Sequence, residues 1–141
     1  MKDGQMFGIT NGVITMLSLM TGLKATKVDK VGIIGAILAM IIADPLSDAY
    51  SIYFAEKQND NKDAYEVSKK AFLSQFMLQF IFLLIILSTP DINKGIQYSY
   101  IFGILITIVY GHKLGISTEE IMKNLAWIVG LVFVTYVSDM A

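Results

Sequence analysis

The stretch Val31–Tyr53, VGIIGAILAMIIADPLSDAYSIY, decides the fold class of this chain. Its length suits the roughly 20 mostly apolar residues that a helix needs to cross the hydrocarbon core of a bilayer. Two carboxylates, Asp44 and Asp48, lie well inside it. The stretch therefore predicts a membrane-spanning helix that holds two acids within the bilayer.

Four further apolar stretches indicate that the rest of the chain also lies in a membrane. The 141 residues are 55% hydrophobic and only 16% charged, which is too apolar for an ordinary soluble domain. We predict an all-α polytopic membrane protein, with one domain of five transmembrane helices over residues 1–141. Besides 31–53, the predicted spans are 6–23, 71–89, 96–111 and 125–137, the last extended back to about residue 119.

The placement of lysines predicts the orientation in the lipid bilayer. With five spans, seven of the 11 basic residues, all lysines, lie on the side of the N-terminus and four on the other side. The positive-inside rule then predicts a cytoplasmic N-terminus and a C-terminus on the opposite side. The longest polar stretch, 57–70, is a short cytoplasmic loop or an exposed extension of a helix.

Composition also narrows the classes of function. The absence of cysteine excludes disulfides, zinc-thiolate sites and thiol catalysis. A net charge of -1 without a basic stripe argues against a nucleic acid partner. An intramembrane aspartyl protease is a weak alternative, because such a mechanism needs two carboxylates facing each other across the substrate, and here both lie on one helix. We predict that the protein is not an enzyme.

Asp44 and Asp48 are four residues apart, so a helix places them on one face with Cβ atoms about 5–6 Å apart. An acid near the bilayer centre costs about 2.5–3.5 kcal/mol on insertion scales, so a merely structural helix would avoid two of them. Two close carboxylates in a low dielectric do not both stay ionised unless a cation neutralises them. The pair therefore predicts exchange of protons for a cation.

The neighbours of the two acids suggest which cation. Pro45 has no N–H, which leaves the carbonyl oxygen of Ile41 without its helical donor and free to act as a hard ligand. Oxygen ligands together with one thioether favour iron(II) or manganese(II) as the transported ion. The predicted stripe, at spacings of three and four, is Met40, Asp44, Ser47, Asp48 and Ser51.

A structural explanation of the acids remains open at this point. They could lie nearer the interface than predicted, or pair with a lysine of another helix for stability alone. No lysine lies inside another predicted span, so such an ion pair has no obvious partner.

The first helix has a pattern that predicts close helix packing. Gly4, Gly8 and Gly12 repeat every fourth residue, a small-xxx-small pattern that lets another helix approach closely. Asn11 lies beside this face. Its side chain could offer a carbonyl oxygen to the carboxylates of the second helix, or it could form a hydrogen bond between helices.

Other polar residues have simpler interpretations. Ser74, Gln75 and Gln79 form a polar stripe on the third helix, which interhelical hydrogen bonds explain adequately. The aromatic residues Trp127, Tyr98, Tyr100 and Tyr136 lie near predicted interfaces, as amphipathic rings tend to. Three acids could capture cations at the cytoplasmic mouth, although a solvated run of charge explains them as well: Asp60, Asp63 and Glu66.

Three runs resemble the vacuolar iron transporter family: Gly8–Thr15, Pro45–Glu56, and Gly130 with Val134–Tyr136. The resemblance spans nearly the whole chain and includes the number of helices. It implies a five-helix homodimer that moves iron(II) or manganese(II) out of the cytoplasm against protons. The pathway would lie at the dimer interface, lined by the first and second helices. No permanently bound cofactor is implied.

The chain departs from the family pattern in the residues that matter most. Asn11 stands where the family has an aspartate, and Met40 and Asp48 stand where it has a glutamate and then a methionine, while Asp44 adds an acid. The short 57–70 segment replaces the helical metal-binding domain of larger members. The resemblance therefore implies a short member with a rearranged ligand set. The alternative is a non-transporting membrane interaction or assembly protein that keeps the fold.

Overall fold

The computed structural model describes the backbone of residues 2–140 and the side chains of residues 8–138. The described chain is all-helical, as predicted. Each helix is joined to the next by a connection of three to five residues, so consecutive helices run antiparallel. The five helices are α1 (Lys2–Ala25), α2 (Lys30–Gln58), α3 (Ala64–Ser88), α4 (Ile92–Lys113) and α5 (Thr118–Met140).

Four of these helices, α2 to α5, are long and apolar enough to cross a membrane. They indicate an integral membrane protein. Their outward faces are rich in large apolar side chains, and α5 is the most exposed of the four. Examples on α5 are Trp127 and Phe133, which are 67% and 66% exposed. Such faces suit lipid, because hydrocarbon chains are as apolar as the side chains that contact them.

The helices extend beyond the predicted spans, which shortens the connections. Residues 57 and 58 belong to α2, and residues 64–70 begin α3, so the polar stretch is mostly helix extension and the loop between them is only 59–63. Helix α2 continues through Pro45 without a break, and Pro45 itself is buried. Asp29 begins α2 as an N-cap, since its side chain accepts a hydrogen bond from the Gly32 N–H at 2.9 Å.

Helix α1 lies inside the bundle and contacts each of the other four helices. Its sequence is on average less apolar than those of the other four helices, and it packs most extensively against α3. Gly8 makes this possible, because a Cβ at this position would lie 2.8 Å from the Ala71 carbonyl oxygen. Gly12 approaches Leu78 in the same way. Gly8 and Gly12 therefore lie where α1 and α3 approach each other closely, while the surroundings of Gly4 lie outside the described residues.

The apolar core lies where α1, α2, α3 and α4 meet, and α5 adds Ile128. Met16, Leu17 and Met20 of α1 are fully buried in it, together with Phe82 of α3. Asn11 lies on another part of the α1 surface, where it contacts α2 and lines a groove against α5.

Candidate carboxylate and carboxamide site

Asp44 and Asp48 lie one turn apart on α2 and share the face that packs against α3. Both are partly buried. Their partners come from two other helices, so the site forms only when the bundle is assembled. We name the five residues that contact one another here the carboxylate cluster: Asn11, Asp44, Asp48, Gln75 and Gln79.

Two glutamines of α3 donate to the carboxylates. Gln75 Nε2 donates to Asp44 Oδ2 at 2.7 Å and to Asp48 Oδ2 at 3.0 Å. Gln79 Nε2 donates to Asp44 Oδ2 at 2.8 Å. Because α2 and α3 are antiparallel, residues 44 and 48 of α2 face residues 79 and 75 of α3. Gln75 thus bridges the two carboxylates.

Asn11 of α1 completes the cluster from a third helix. Its Nδ2 donates a hydrogen bond to Asp48 Oδ2. The neighbouring Gly12 brings α1 close to α3, since a Cβ there would lie 3.5 Å from Gln75 Cγ. The sequence left two roles open for Asn11, a carbonyl oxygen offered to the carboxylates or a hydrogen bond between helices. In the structure it forms the hydrogen bond, with its N–H group toward Asp48.

Among the described side chains, the groups that donate hydrogen bonds to these two carboxylates are the neutral amides of Asn11, Gln75 and Gln79. Amide donors stabilise a carboxylate, but they do not cancel its charge. The cluster therefore combines two acids in a mostly apolar bundle with donors that leave the charge uncompensated.

Two carbonyl oxygens in the cluster have no hydrogen-bond partner within the described part of the chain. They are Gln75 Oε1 and Gln79 Oε1, and both glutamines are 0% exposed. A buried polar atom without a partner usually costs about 1–3 kcal/mol. Among the described residues, the cluster therefore contains two hydrogen-bond acceptors without donors, next to two acids without a neighbouring positive charge.

The acids at this site are too few to hold a metal alone. Among the described side chains, no group of three or more histidine, cysteine, aspartate or glutamate residues could hold a metal ion. A divalent ion between Asp44 and Asp48 would need further ligands from water or from carboxamide oxygens, which are hard donors of the same kind.

An open groove of about 560 Å³ runs between α1 and α5 beside the cluster. Asn11 lines this groove and also contacts Asp48, so one side chain lies between the surface and the carboxylates. Most of the groove is apolar, but hydroxyl and amide groups occur along it. Its lining consists of Thr10, Asn11, Ile14, Ser18, Asn124, Trp127 and Leu131.

The other predicted site residues lie around the cluster rather than in it. Met40 is partly buried one turn before Asp44 and packs against the apolar core. Ser47 and Ser51 are exposed on α2. The proposed cytoplasmic acids are all exposed at the connection between α2 and α3, where Asp60 is in the loop, Asp63 precedes α3 and Glu66 is in its first turn.

Gln75 and Gln79 are the site residues that sequence reasoning missed. Their spacing of four in an apolar helix was visible, and it matches the spacing of the two aspartates. An interhelical hydrogen bond was predicted for them, and the structure identifies the acceptors as the carboxylates. Two polar stripes of equal spacing on consecutive antiparallel helices were the signal that could have paired them.

The chain matches no protein-family model, no curated protein and no solved structure.

Proposed function

We propose that this protein is a membrane transporter of divalent transition-metal ions, iron(II) or manganese(II), which moves them out of the cytoplasm in exchange for protons. The observation that supports this most is the pair of carboxylates within an apolar helix, whose hydrogen-bond donors among the described side chains are neutral amides. Such a pair attracts a divalent cation when ionised and is neutralised by protons when the cation leaves.

The free-energy cost of inserting two acids into the membrane supports a functional role for them. Insertion scales assign about 2.5–3.5 kcal/mol to an acid at the centre of a membrane helix. A structural ion pair would reduce this penalty. Every lysine of the sequence, however, lies in a connection or near one end of a helix. Intramembrane acids facing the interior of a bundle are typical of ion and proton pathways.

The groove between α1 and α5 supports access to the site. It is open to the outside of the bundle, and Asn11, whose amide contacts Asp48, is one of its lining residues. Thr10 and Ser18 would offer hydroxyl oxygens to an ion in this groove. All five helices would span the membrane, with α1 sheltered from lipid by its neighbours.

A homodimer is part of the proposal. Helix α2 presents an exposed row of small residues next to the two aspartates, which would let a second α2 approach closely. Ala39→Leu would then convert the dimer to a monomer in detergent, as measured by light scattering. An unchanged mass would reject this interface. The row consists of Gly35, Ala39, Ala43, Ser47 and Ser51.

The proposed orientation has a direct test. Because the chain has no cysteine, a single cysteine can be introduced without background labelling. Lys62→Cys in the α2–α3 loop should react with a membrane-impermeant reagent only from the cytoplasmic side. Lys94→Cys at the start of α4 should react only from the opposite side. The reverse pattern would contradict a cytoplasmic N-terminus.

Ion flux into proteoliposomes tests the function itself. We expect manganese(II) uptake by the wild-type protein together with proton movement in the opposite direction, reported by a pH-sensitive dye in the lumen. Asp44→Asn and Asp48→Asn should each reduce the uptake rate to that of protein-free vesicles. Glu119→Gln, at an exposed acid in the first turn of α5, is the matched control and should transport normally.

The alternative is a membrane interaction or assembly protein without transport activity. It predicts wild-type flux equal to that of empty vesicles, both for iron(II) and for manganese(II). Uptake that persists in both aspartate variants would instead show transport by another route and would reject the carboxylate cluster as the site.

A further inference from the structure

We infer that Gln75 and Gln79 are ligands of the transported cation, and that their oxygens give the site a preference for manganese(II) over softer ions. The inference rests on the proposed function, and it adds α3 to the helices that form the site. It starts from two buried carbonyl oxygens that have no partner in the described part of the chain.

A carboxamide has a donor and an acceptor on the same carbon atom. In the structure the Nε2 atoms of Gln75 and Gln79 point to the carboxylates, and the Oε1 atoms are left without partners. Half a turn about the last side-chain bond exchanges the two positions while the rest of each side chain stays in place. The bond is a terminal sp³–sp² torsion with a broad, roughly two-fold energy profile, so this rotation is easy.

The two orientations suit two states of the site. Without a cation, the N–H groups stabilise the carboxylates, as the hydrogen bonds of 2.7 and 2.8 Å from Gln75 and Gln79 to Asp44 show. With a cation between Asp44 and Asp48, an N–H pointing at it would be repelled, and the Oε1 atom would take its place. The rotation turns an unpaired acceptor into a ligand.

Gln75 is the better placed of the two for an ion held by both acids. Its Nε2 lies within hydrogen-bond distance of both carboxylates, at 2.7 and 3.0 Å, whereas the Gln79 amide contacts Asp44 alone. An oxygen in the position of the Gln75 nitrogen would therefore face the space between the acids. We expect the larger effect from substitution of Gln75.

The resulting ligand set consists of oxygen atoms: two carboxylates and two carboxamides. Hard oxygen ligands suit manganese(II), while thioethers and thiolates select softer ions. The nearest thioether predicted for the site, that of Met40, packs against the apolar core. The preference for manganese(II) therefore depends on the glutamines.

Replacement of each glutamine by methionine tests this inference. Methionine has a similar length and replaces the amide by a soft thioether, so the ion preference should change. In detergent-purified protein, we expect Gln75→Met to weaken manganese(II) binding about tenfold or more and to leave cadmium(II) binding unchanged or tighter. Gln79→Met should change the ratio of the two affinities in the same direction but by less. Titration calorimetry measures both ions.

The ratio of the two affinities separates a ligand from a residue that only positions the carboxylates. A positioning role predicts that both ions lose affinity equally, and that result would overturn the inference. Because both ions are measured on the same preparation, a partly misfolded variant changes the amount of active protein and leaves the ratio intact. Gln97→Met, at an exposed position of α4, is the matched control and should keep the wild-type ratio.

The same titration separates this inference from the proposed function. Wild-type protein that binds manganese(II) and loses binding in Asp48→Asn supports the site whatever the methionine variants do. If wild-type protein binds neither ion, both the proposed function and the role of the glutamines are wrong.

Discussion

Two polar clusters lie inside this bundle, and they differ in whether their hydrogen bonds are complete. The carboxylate cluster joins α1, α2 and α3. The second cluster, here named the hydroxyl chain, joins α1, α4 and α5 through Thr21, Tyr100 and Thr135. Both connect three helices through side chains in apolar surroundings, yet only one of them carries charge.

Every proton in the hydroxyl chain has an acceptor. Thr135 donates to the Leu131 carbonyl at 3.1 Å, so it accepts from Tyr100, whose hydroxyl lies 3.0 Å away. Tyr100 in turn accepts from Thr21. The hydroxyl chain is neutral and its hydrogen bonds are complete, with Thr21 and Tyr100 buried and Thr135 partly buried. These properties suit a purely structural contact between membrane helices.

The carboxylate cluster lacks these properties. It has two acids, neutral donors and two carbonyl oxygens without partners in the described structure. If stability alone had shaped it, a neutral arrangement like the hydroxyl chain would have served. The difference supports the proposal that the carboxylate cluster keeps its polar groups for a ligand.

Neutralising the two acids should have the largest effect and tests most strongly whether the two clusters differ in role. Each charged ligand contributes about 1.5–3 kcal/mol, so Asp44→Asn with Asp48→Asn should weaken manganese(II) binding by over about a hundredfold. The unfolding temperature in detergent should stay the same or rise, because a buried charge is removed and asparagine keeps a hydrogen-bond acceptor. Calorimetry and thermal unfolding measure the two effects. A lower unfolding temperature with unchanged binding would make the cluster structural.

A smaller effect should follow from moving α1 away from α3. Gly8→Ala places a Cβ 2.8 Å from the Ala71 carbonyl oxygen, which belongs to backbone and cannot easily move. We expect a loss of about 1–3 kcal/mol of stability, and weaker manganese(II) binding, because Asn11 and Gln75 would separate. Gly22→Ala in the same helix meets no atom within 4 Å and is the control. Equal unfolding temperatures for the two variants would contradict this packing.

The smallest effect concerns the hydroxyl chain. Tyr100→Phe removes the central hydroxyl and should cost about 1 kcal/mol of stability, in the range of interhelical hydrogen bonds in membranes. It should leave manganese(II) affinity at the wild-type value, since the hydroxyl chain is not part of the proposed binding site. Tyr98→Phe, on the exposed face of α4, should change neither quantity. Altered metal affinity in Tyr100→Phe would end the distinction between the two clusters.

The helical class could be predicted from the sequence, because it depends on local composition: five apolar stretches correspond to five helices. The spacing of Asp44 and Asp48 was enough to place both on one face of a helix. The repeat of Gly8 and Gly12 was enough to place them on another. These features follow from helical periodicity alone and need no knowledge of which helices are neighbours.

What the sequence could not provide is the rotation of each helix about its axis. The sequence could not show that Tyr100 is only 7% exposed and bonds across the bundle. Tyr98, two residues earlier, faces outward at 52% exposure. Gln75 and Gln79 show the same difficulty, because their acceptors lie on another helix. Such pairings depend on how the helices pack against each other.

We propose that Asp44 and Asp48 hold a divalent cation together. A crystal of the protein soaked in manganese(II), with anomalous diffraction used to locate the ion, tests this. We expect a peak between the two carboxylates, with the amides of Gln75 and Gln79 turned so that their oxygens face it. A manganese(II) peak elsewhere, with Asp44 and Asp48 still bonded only to the amides of Asn11, Gln75 and Gln79, would contradict it.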